Sequence, residues 1–304
     1  MIDANSSPTI RRIGLMITGS QLPGNDGDNI NGPSVIKVPD WVDQPLGRYY
    51  MYFAHHNGKY IRLAYADDPT GPWSIYQPGV LPLEQCPAAS GHVASPDVHV
   101  DSVTQTIFMY FHAPAREAKG QQKTFVAVST NGLDFKPSDE ILGIFYFRAW
   151  FYAGYWYALG KARLYRSTNP LSGFQPGPVV LEVPGSNLET FNEPGNIRHT
   201  AADIQDDRLF VYYTRQGGMP EHILRGEIDM SKPWTEWRIS KEVSILKPEL
   251  TWEGANLPLE VSTSGAAMQS RNELRDPCIF KSSLKTLLYY SVAGEQGIAV
   301  AELS

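Results

Sequence analysis

The stretch from Arg275 to Leu303 constrains the fold more than any other part of the chain. It holds Arg275-Asp276-Pro277-Cys278-Ile279-Phe280, then Leu287-Leu288-Tyr289-Tyr290-Ser291-Val292, a Gly294-Glu295-Gln296-Gly297 turn, and Ile298-Ala299-Val300-Ala301. Short apolar runs punctuated by tight turns read as three strands. The same unit, with a fourth strand added, recurs upstream. The first copy is Val35–Val38, Tyr49–His55, Tyr60–Tyr65 and Pro72–Tyr76, with Asn57-Gly58 as a hairpin turn because both residues tolerate positive φ. The second is Asp97–Val100, Ile107–Phe111, Thr124–Val128 and Leu133–Phe135, and Met51-Tyr52-Phe53 reappears in it as Met109-Tyr110-Phe111. Ala149–Tyr152, Tyr155–Leu159, Ala162–Arg166 and Ser172–Phe174 form the third; His199–Ala202, Leu209–Tyr213, Ile223–Ile228 and Trp234–Trp237 form the fourth. Residues 241–274 read as a long connection into the last unit.

Five sets of about four strands, repeating every ~50–75 residues, match the radial repetition of a β-propeller. A β-sandwich is the structural rival, and the recurrence of aromatic-ending fourth strands in register favours the propeller. Composition agrees: 26 Gly and 23 Pro with 12% aromatic residues suit many short strands and turns. The expectation is an all-β chain, residues 1–304 forming a single five-bladed domain. The fifth unit stops after its third strand, which would leave an open edge. Residues 10–16, Ile-Arg-Arg-Ile-Gly-Leu-Met, are therefore predicted to pair beside Ile298–Ala301 and complete the last blade.

A net charge of −6 argues against a nucleic-acid partner, since phosphate binding draws on surplus Lys and Arg. Cys86 and Cys278 are far apart and lack metal-ligand spacing. No apolar run approaches a membrane span, and Met1–Ser7 lacks the basic and apolar regions of a signal peptide. The expectation is a soluble chain with no membrane partner, either cytoplasmic or secreted with its signal removed.

On this blade rhythm, and on Arg275-Asp276-Pro277-Cys278-Ile279-Phe280, Ser95-Pro96-Asp97-Val98 and Ala66-Asp67-Asp68-Pro69-Thr70-Gly71-Pro72-Trp73, the chain resembles glycoside hydrolase family 43 and its neighbours such as family 117. The resemblance implies a sugar site at one end of the central axis, where the blades' first strands begin. It also implies an aspartate base in the first blade, a second aspartate in the third and a glutamic acid in the fourth, for activating water and protonating the leaving oxygen. Matched by position, this chain carries Asn31-Gly32-Pro33, Phe147-Arg148-Ala149 and Ile197-Arg198-His199 there instead.

The candidates at the expected mouth are accordingly Asp97, Glu193, Asp276 and His199 as acid and base groups. Arg148, Arg198 and Arg275, with Asn31, are candidates for holding substrate, because arginine grips carboxylate or sulfate bidentately. Each arginine can equally pair with a carboxylate between blades. Trp150, with Trp41, Tyr146 and Trp252, is a candidate for stacking on a sugar ring. No cofactor is required, and a single central metal ion near His199 is an open option, although no HxH or HxxxH pair supports one. The leading expectation is a glycosidase acting on an acidic oligosaccharide or polysaccharide. A lyase or dehydratase acting on a uronate, with His199 or a tyrosine as base, and a sugar-binding propeller without catalysis are the alternatives.

Overall fold

The computed structural model describes residues 8–187, 189 and 191–304, so the expectation for Met1–Ser7 lies outside the described residues. The chain forms five antiparallel sheets. Blade one contains Asn31–Lys37, Tyr49–Ala54, Ile61–Ala66 and Ser74–Val80; blade two contains Ala94–Asp101, Thr106–Pro114 and Gln122–Ser129, with Lys136–Pro137 and Gly143–Ile144 both on its third strand. Blade three is Phe147–Tyr152, Tyr155–Gly160, Arg163–Ser167 and Gln175–Val179, and blade four is Ile197–Gln205, Arg208–Arg215, Ile223–Asp229 and Ser240–Leu246. Blade five is Arg275–Lys281, Thr286–Val292 and Gly297–Leu303, and its outer strand is the N-terminal Ile10–Thr18. That strand runs antiparallel to the last one, from Ile10 opposite Leu303 to Thr18 opposite Gly297, and closes the five-bladed propeller.

The fourth strands need correcting. Phe135, Phe174 and Trp237 end the aromatic phrases that the sequence suggests as strands, and each, like Trp73 at the head of Ser74–Val80, is a buried anchor in the turn just before its strand; only in blade one does the phrase, through Ser74–Tyr76, reach into the strand itself. In blade four Trp234–Glu236 is a 3-10 turn, and the strand follows at Ser240–Leu246. The connection expected over residues 241–274 therefore begins only after Leu246.

Side-chain alternation explains why the strands read as unbroken apolar runs. In blade one Tyr50 and Tyr52 pack against blade two, while Met51 and Phe53 pack against blade five. In blade two Ile107, Met109 and Phe111 face blade one, and Phe108 and Tyr110 face blade three. Leu288 and Tyr290 of blade five turn to blade four, Leu287 and Tyr289 to blade one. A strand buried on both faces needs apolar residues at every position.

The first strands line the axis and begin with a shared irregularity. Register shifts fall at Asn31/Ser34, Ala94/Asp97, Ile197/Thr200 and Arg275/Cys278. In blades one, two and five the shift carries a left-handed residue followed by proline: Gly32, Ser95 and Asp276, with φ of 62°, 48° and 49°. Glycine suits the first of these because a Cβ there would lie 3.3 Å from the Ser95 Cα of the next blade. Asp276 is thus the counterpart of Ser95 and Gly32, and Asp97 sits two positions deeper. The two aspartates do not open their blades in equivalent places.

Candidate active site

At the end where the first strands begin, the axis opens into a cavity of about 390 Å³ whose wall includes Tyr146, Phe145, Lys161, Arg198, Gln216 and His56. Tyr146 precedes the first strand of blade three with φ of 67°, a left-handed conformation that a tyrosine adopts only when its surroundings enforce it. Its ring meets His199 edge-on at 4.3 Å between centroids and His112 at 4.5 Å. His92 follows His112 at 5.7 Å and His56 follows His92 at 6.3 Å, so an arc of imidazoles runs along one side of the mouth.

His199 and Asp276 meet through Nδ1 and Oδ1 as a buried pair. Ser291 Oγ donates to the other carboxylate oxygen at 2.9 Å. Burial alone would raise the Asp276 carboxyl, but His199, the Ser291 hydroxyl and Arg275 outweigh it and hold it well below the usual carboxylate range. Burial pushes the His199 imidazole below its ordinary value, Asp276 works against this, and Arg198 and Arg148 add to the lowering. These directions favour an ionised carboxylate in contact with a neutral imidazole through Oδ1 and Nδ1, an arrangement in which Nε2 is the nitrogen that can take up a proton. Burial, then Asp276 and Glu295, push the Tyr146 hydroxyl up, so it remains a donor.

The arginines are placed differently from the expectation. Arg198 grips Glu221 with Nε at 2.7 Å and Nη2 at 3.0 Å, and also donates to the carbonyls of Thr263 and Gly265. Thr214 Oγ1 donates to the same Glu221 at 2.6 Å. Arg275, with no exposed surface, donates from Nε to Glu273 at 2.8 Å and from Nη1 to Glu295 at 2.9 Å and the Gly265 carbonyl at 3.0 Å. Burial would raise the Glu221 carboxyl, but Arg198 and Arg275 outweigh it and keep it ionised. Both arginines are therefore taken up by carboxylates of their own blade, Glu221 in blade four and Glu273 with Glu295 in blade five, and not by carboxylates of a neighbouring blade. Asn31 belongs to the same network: its Nδ2 donates to Asn29 Oδ1 at 2.8 Å and Glu295 Oε2 at 3.3 Å, while Asn29 Nδ2 donates to Glu295 at 2.6 Å.

Four other expected residues lie apart. Asp97 lines a separate cavity farther down the axis, where His99 Nε2 donates to it at 2.9 Å and the Ala149 amide at 2.8 Å. Arg148 lines that second cavity too, donating from Nη1 to the Ser95 and Phe147 carbonyls. Glu193 accepts from Ser186 Oγ and Asn196 Nδ2 within its own loop, and its own amide, ahead of opposing burial, keeps it ionised. Trp150 is core: it stacks on Tyr157 at 5.9 Å between two blades, away from either opening. Among the described residues no group of three or more His, Cys, Asp or Glu side chains is placed to hold a metal ion.

The carboxylates that organise the mouth, Glu221, Glu273 and Glu295, were not singled out in the sequence. Glu295 had one available signal, its place in the Gly-Glu-Gln-Gly turn of the closing blade.

No protein-family model matches the chain. Among curated proteins, the uncharacterized protein R118 of Acanthamoeba polyphaga mimivirus is 35% identical over 297 residues, covering 90% of this chain and 83% of that protein. Among solved structures, a family 43 glycoside hydrolase of Xanthomonas citri superposes with a TM-score of 0.63 at 14% identity, covering 97% of this chain and 92% of the other. A family 43 β-xylosidase/α-arabinofuranosidase from a compost microbial metagenome, in complex with xylotriose, gives 0.63 at 13% identity over 98% and 95%. An α-L-arabinofuranosidase of Lactobacillus brevis gives 0.59 at 10% over 90% of each chain. No helix among the described residues is long and apolar enough to cross a membrane. The protein belongs to one family with the mimivirus protein R118, built on the five-bladed propeller fold seen in family 43 glycosidases.

Proposed function

We propose that the protein is a carbohydrate-active enzyme of the glycosidase type, acting on an oligosaccharide in the axial cavity. The observation that carries this reading is the buried His199–Asp276 pair packed against the ring of Tyr146, which itself lines the cavity. A neutral imidazole fixed by a carboxylate is a general base, and a protonated phenol beside it is a matching acid. The propeller fold supports a sugar as the substrate, because family 43 structures of this fold are described in complex with xylose and xylotriose. Lys123 on the cavity wall supplies positive charge for an acidic unit, in place of the arginines whose charge the glutamates take up, whereas burial pulls the Lys161 ammonium down to about 7 and Phe191 and Asn192 hold it.

One observation favours the second reading, a lyase or dehydratase. The carboxylates of an inverting glycosidase stand about 6.5–9.5 Å apart to admit a water between them. Tyr146 and His199 are in ring contact. Two groups so close suit removal of a carbon-bound proton and protonation of the neighbouring oxygen on one face of the sugar.

Purified protein should be incubated with neutral and uronate-containing oligosaccharides while reducing ends and ultraviolet absorbance are followed together. Reducing ends without a chromophore mean hydrolysis; both together mean elimination. His199→Ala and Asp276→Asn are each expected to lower kcat about 100-fold or more, the usual weight of a positioned acid or base. With His199 as base, kcat/KM falls as pH drops through a value below histidine's ordinary ~6.5. Saturable sugar binding without turnover at any pH would reduce the reading to a binding site, and full activity in His199→Ala would sink the assignment.

A further inference from the structure

The second axial cavity is separate from the mouth, and the two share no lining residue. It measures about 160 Å³ and is walled by all five blades, through residues that include Ser34, Asp97, His99, Arg148, Ala202 and Cys278. That volume is room for about five waters at the ~30 Å³ each takes in the liquid, close to what one sugar ring displaces.

Its polar groups are of opposite charge and incompletely used. Arg148 is only 5% exposed, and among the described residues its Nη2 meets no acceptor. The Asp97 carboxylate spends Oδ2 on His99 and the Ala149 amide, and among the described residues no donor is given to Oδ1. A buried donor left without a partner is unfavourable, and a ligand hydroxyl would relieve it. Aromatic rings adjoin the lining: Trp156 packs edge-on against the lining residue His99 at 5.6 Å, and Phe151, 55% exposed and two residues beyond the lining residue Ala149, lies 5.6 Å from Trp156. An exposed aromatic beside a small polar cavity is a surface on which the apolar face of a sugar stacks.

We propose that this far end of the axial channel is a second ligand site, taking a neutral polyhydroxylated molecule the size of one sugar ring. Its hydroxyls would bridge Arg148 and Asp97 while its carbon face rests on Trp156 and Phe151. Asp97 disfavours an anion there and Arg148 disfavours a cation, so the charge balance selects a neutral guest. The site is independent of turnover at the mouth.

The test is a crystal soaked in glucose, alongside calorimetric titration with glucose and with glucuronate. The expected result is sugar in contact with Asp97 and Trp156, with glucuronate bound at least about tenfold more weakly, a difference of ~1.4 kcal/mol. Phe151→Ala, at an exposed position that leaves folding intact, should weaken glucose about fivefold or more through the lost aromatic face. His199→Ala, at the mouth, should leave that affinity unchanged. Sugar seen only at the mouth, no sugar at concentrations on the order of 0.1 M, glucuronate preferred over glucose, or an unaltered affinity in Phe151→Ala would each overturn the proposal.

Discussion

Arg198 and Arg275 look in the sequence like residues that grip a substrate, and their partners explain why that reading was open. Glu221 lies 23 residues beyond Arg198, and Glu295 lies 20 beyond Arg275. Nothing local announces either pairing, since strand-to-strand returns create both. Their shared target beyond the glutamates is the Gly265 carbonyl, with Thr263 added by Arg198. The arginines therefore fix the 263–265 segment as a lip over the cavity and shape the site without touching the reacting atoms. Arg198→Met would leave Glu221 charged and buried, a loss of about 3–5 kcal/mol typical for a broken buried pair. The paired change Arg198→Met with Glu221→Leu should recover most of it. Urea denaturation of both variants checks this, and equal losses would mean that Arg198 contributes through something other than the pair. His199 was legible for a general reason, a neutral-range side chain at a first-strand start, but Tyr146 was read only as a stacking ring. Its left-handed backbone leaves no mark on the residue itself.

At the scale of elements, the blades' inner and middle strands could be read from sequence while the outer ones could not. Strands two and three are packed on both faces, so their apolar runs are continuous and conspicuous. The outer strands, such as Ser74–Val80 and Ser240–Leu246, are largely exposed and polar, with only their last residues buried. The buried tryptophans and phenylalanines that precede them drew the assignment a few residues early. The closing strand was legible by counting, because a fifth unit with three strands leaves an unpaired edge. Arg12 ties that strand to the rest, through Nε to Glu253 at 2.8 Å and Nη2 to the Lys247 carbonyl at 2.8 Å. Removing residues 1–18 would expose the whole edge of Gly297–Leu303 and release the start of the 247–253 segment. An unpaired edge of this kind is a template for association. The truncated protein is expected to melt about 10 °C or more lower, from a loss of several kcal/mol, and to elute as larger species in size-exclusion chromatography. A monomer with unchanged melting temperature would show that the ring does not depend on this strand.

For the whole molecule, the question is whether five similar sheets act as five units or one. Repeat arrays whose units touch only their neighbours can unfold piecemeal. Here the ring is closed, and each apolar cluster joins adjacent blades: one spans blades two, three and four, and the others join one with two, five with one, and four with five. No blade can leave without exposing core on two sides, and the N-terminal strand makes the last blade depend on both ends of the chain. The mouth adds cross-links of its own, because the Glu295 turn of blade five holds Asn29 and Asn31 at the entry to blade one. Unfolding should therefore be a single transition over residues 1–304, with calorimetric and van't Hoff enthalpies agreeing as two-state behaviour requires. Scanning calorimetry compared with tryptophan fluorescence and far-ultraviolet circular dichroism would show coincident curves. Glu295→Gln keeps the shape of the turn but weakens its hold on Arg275, and it should lower the midpoint while leaving one transition. Two resolved transitions, with blade five melting first, would mean that ring closure joins the blades without making them one cooperative unit.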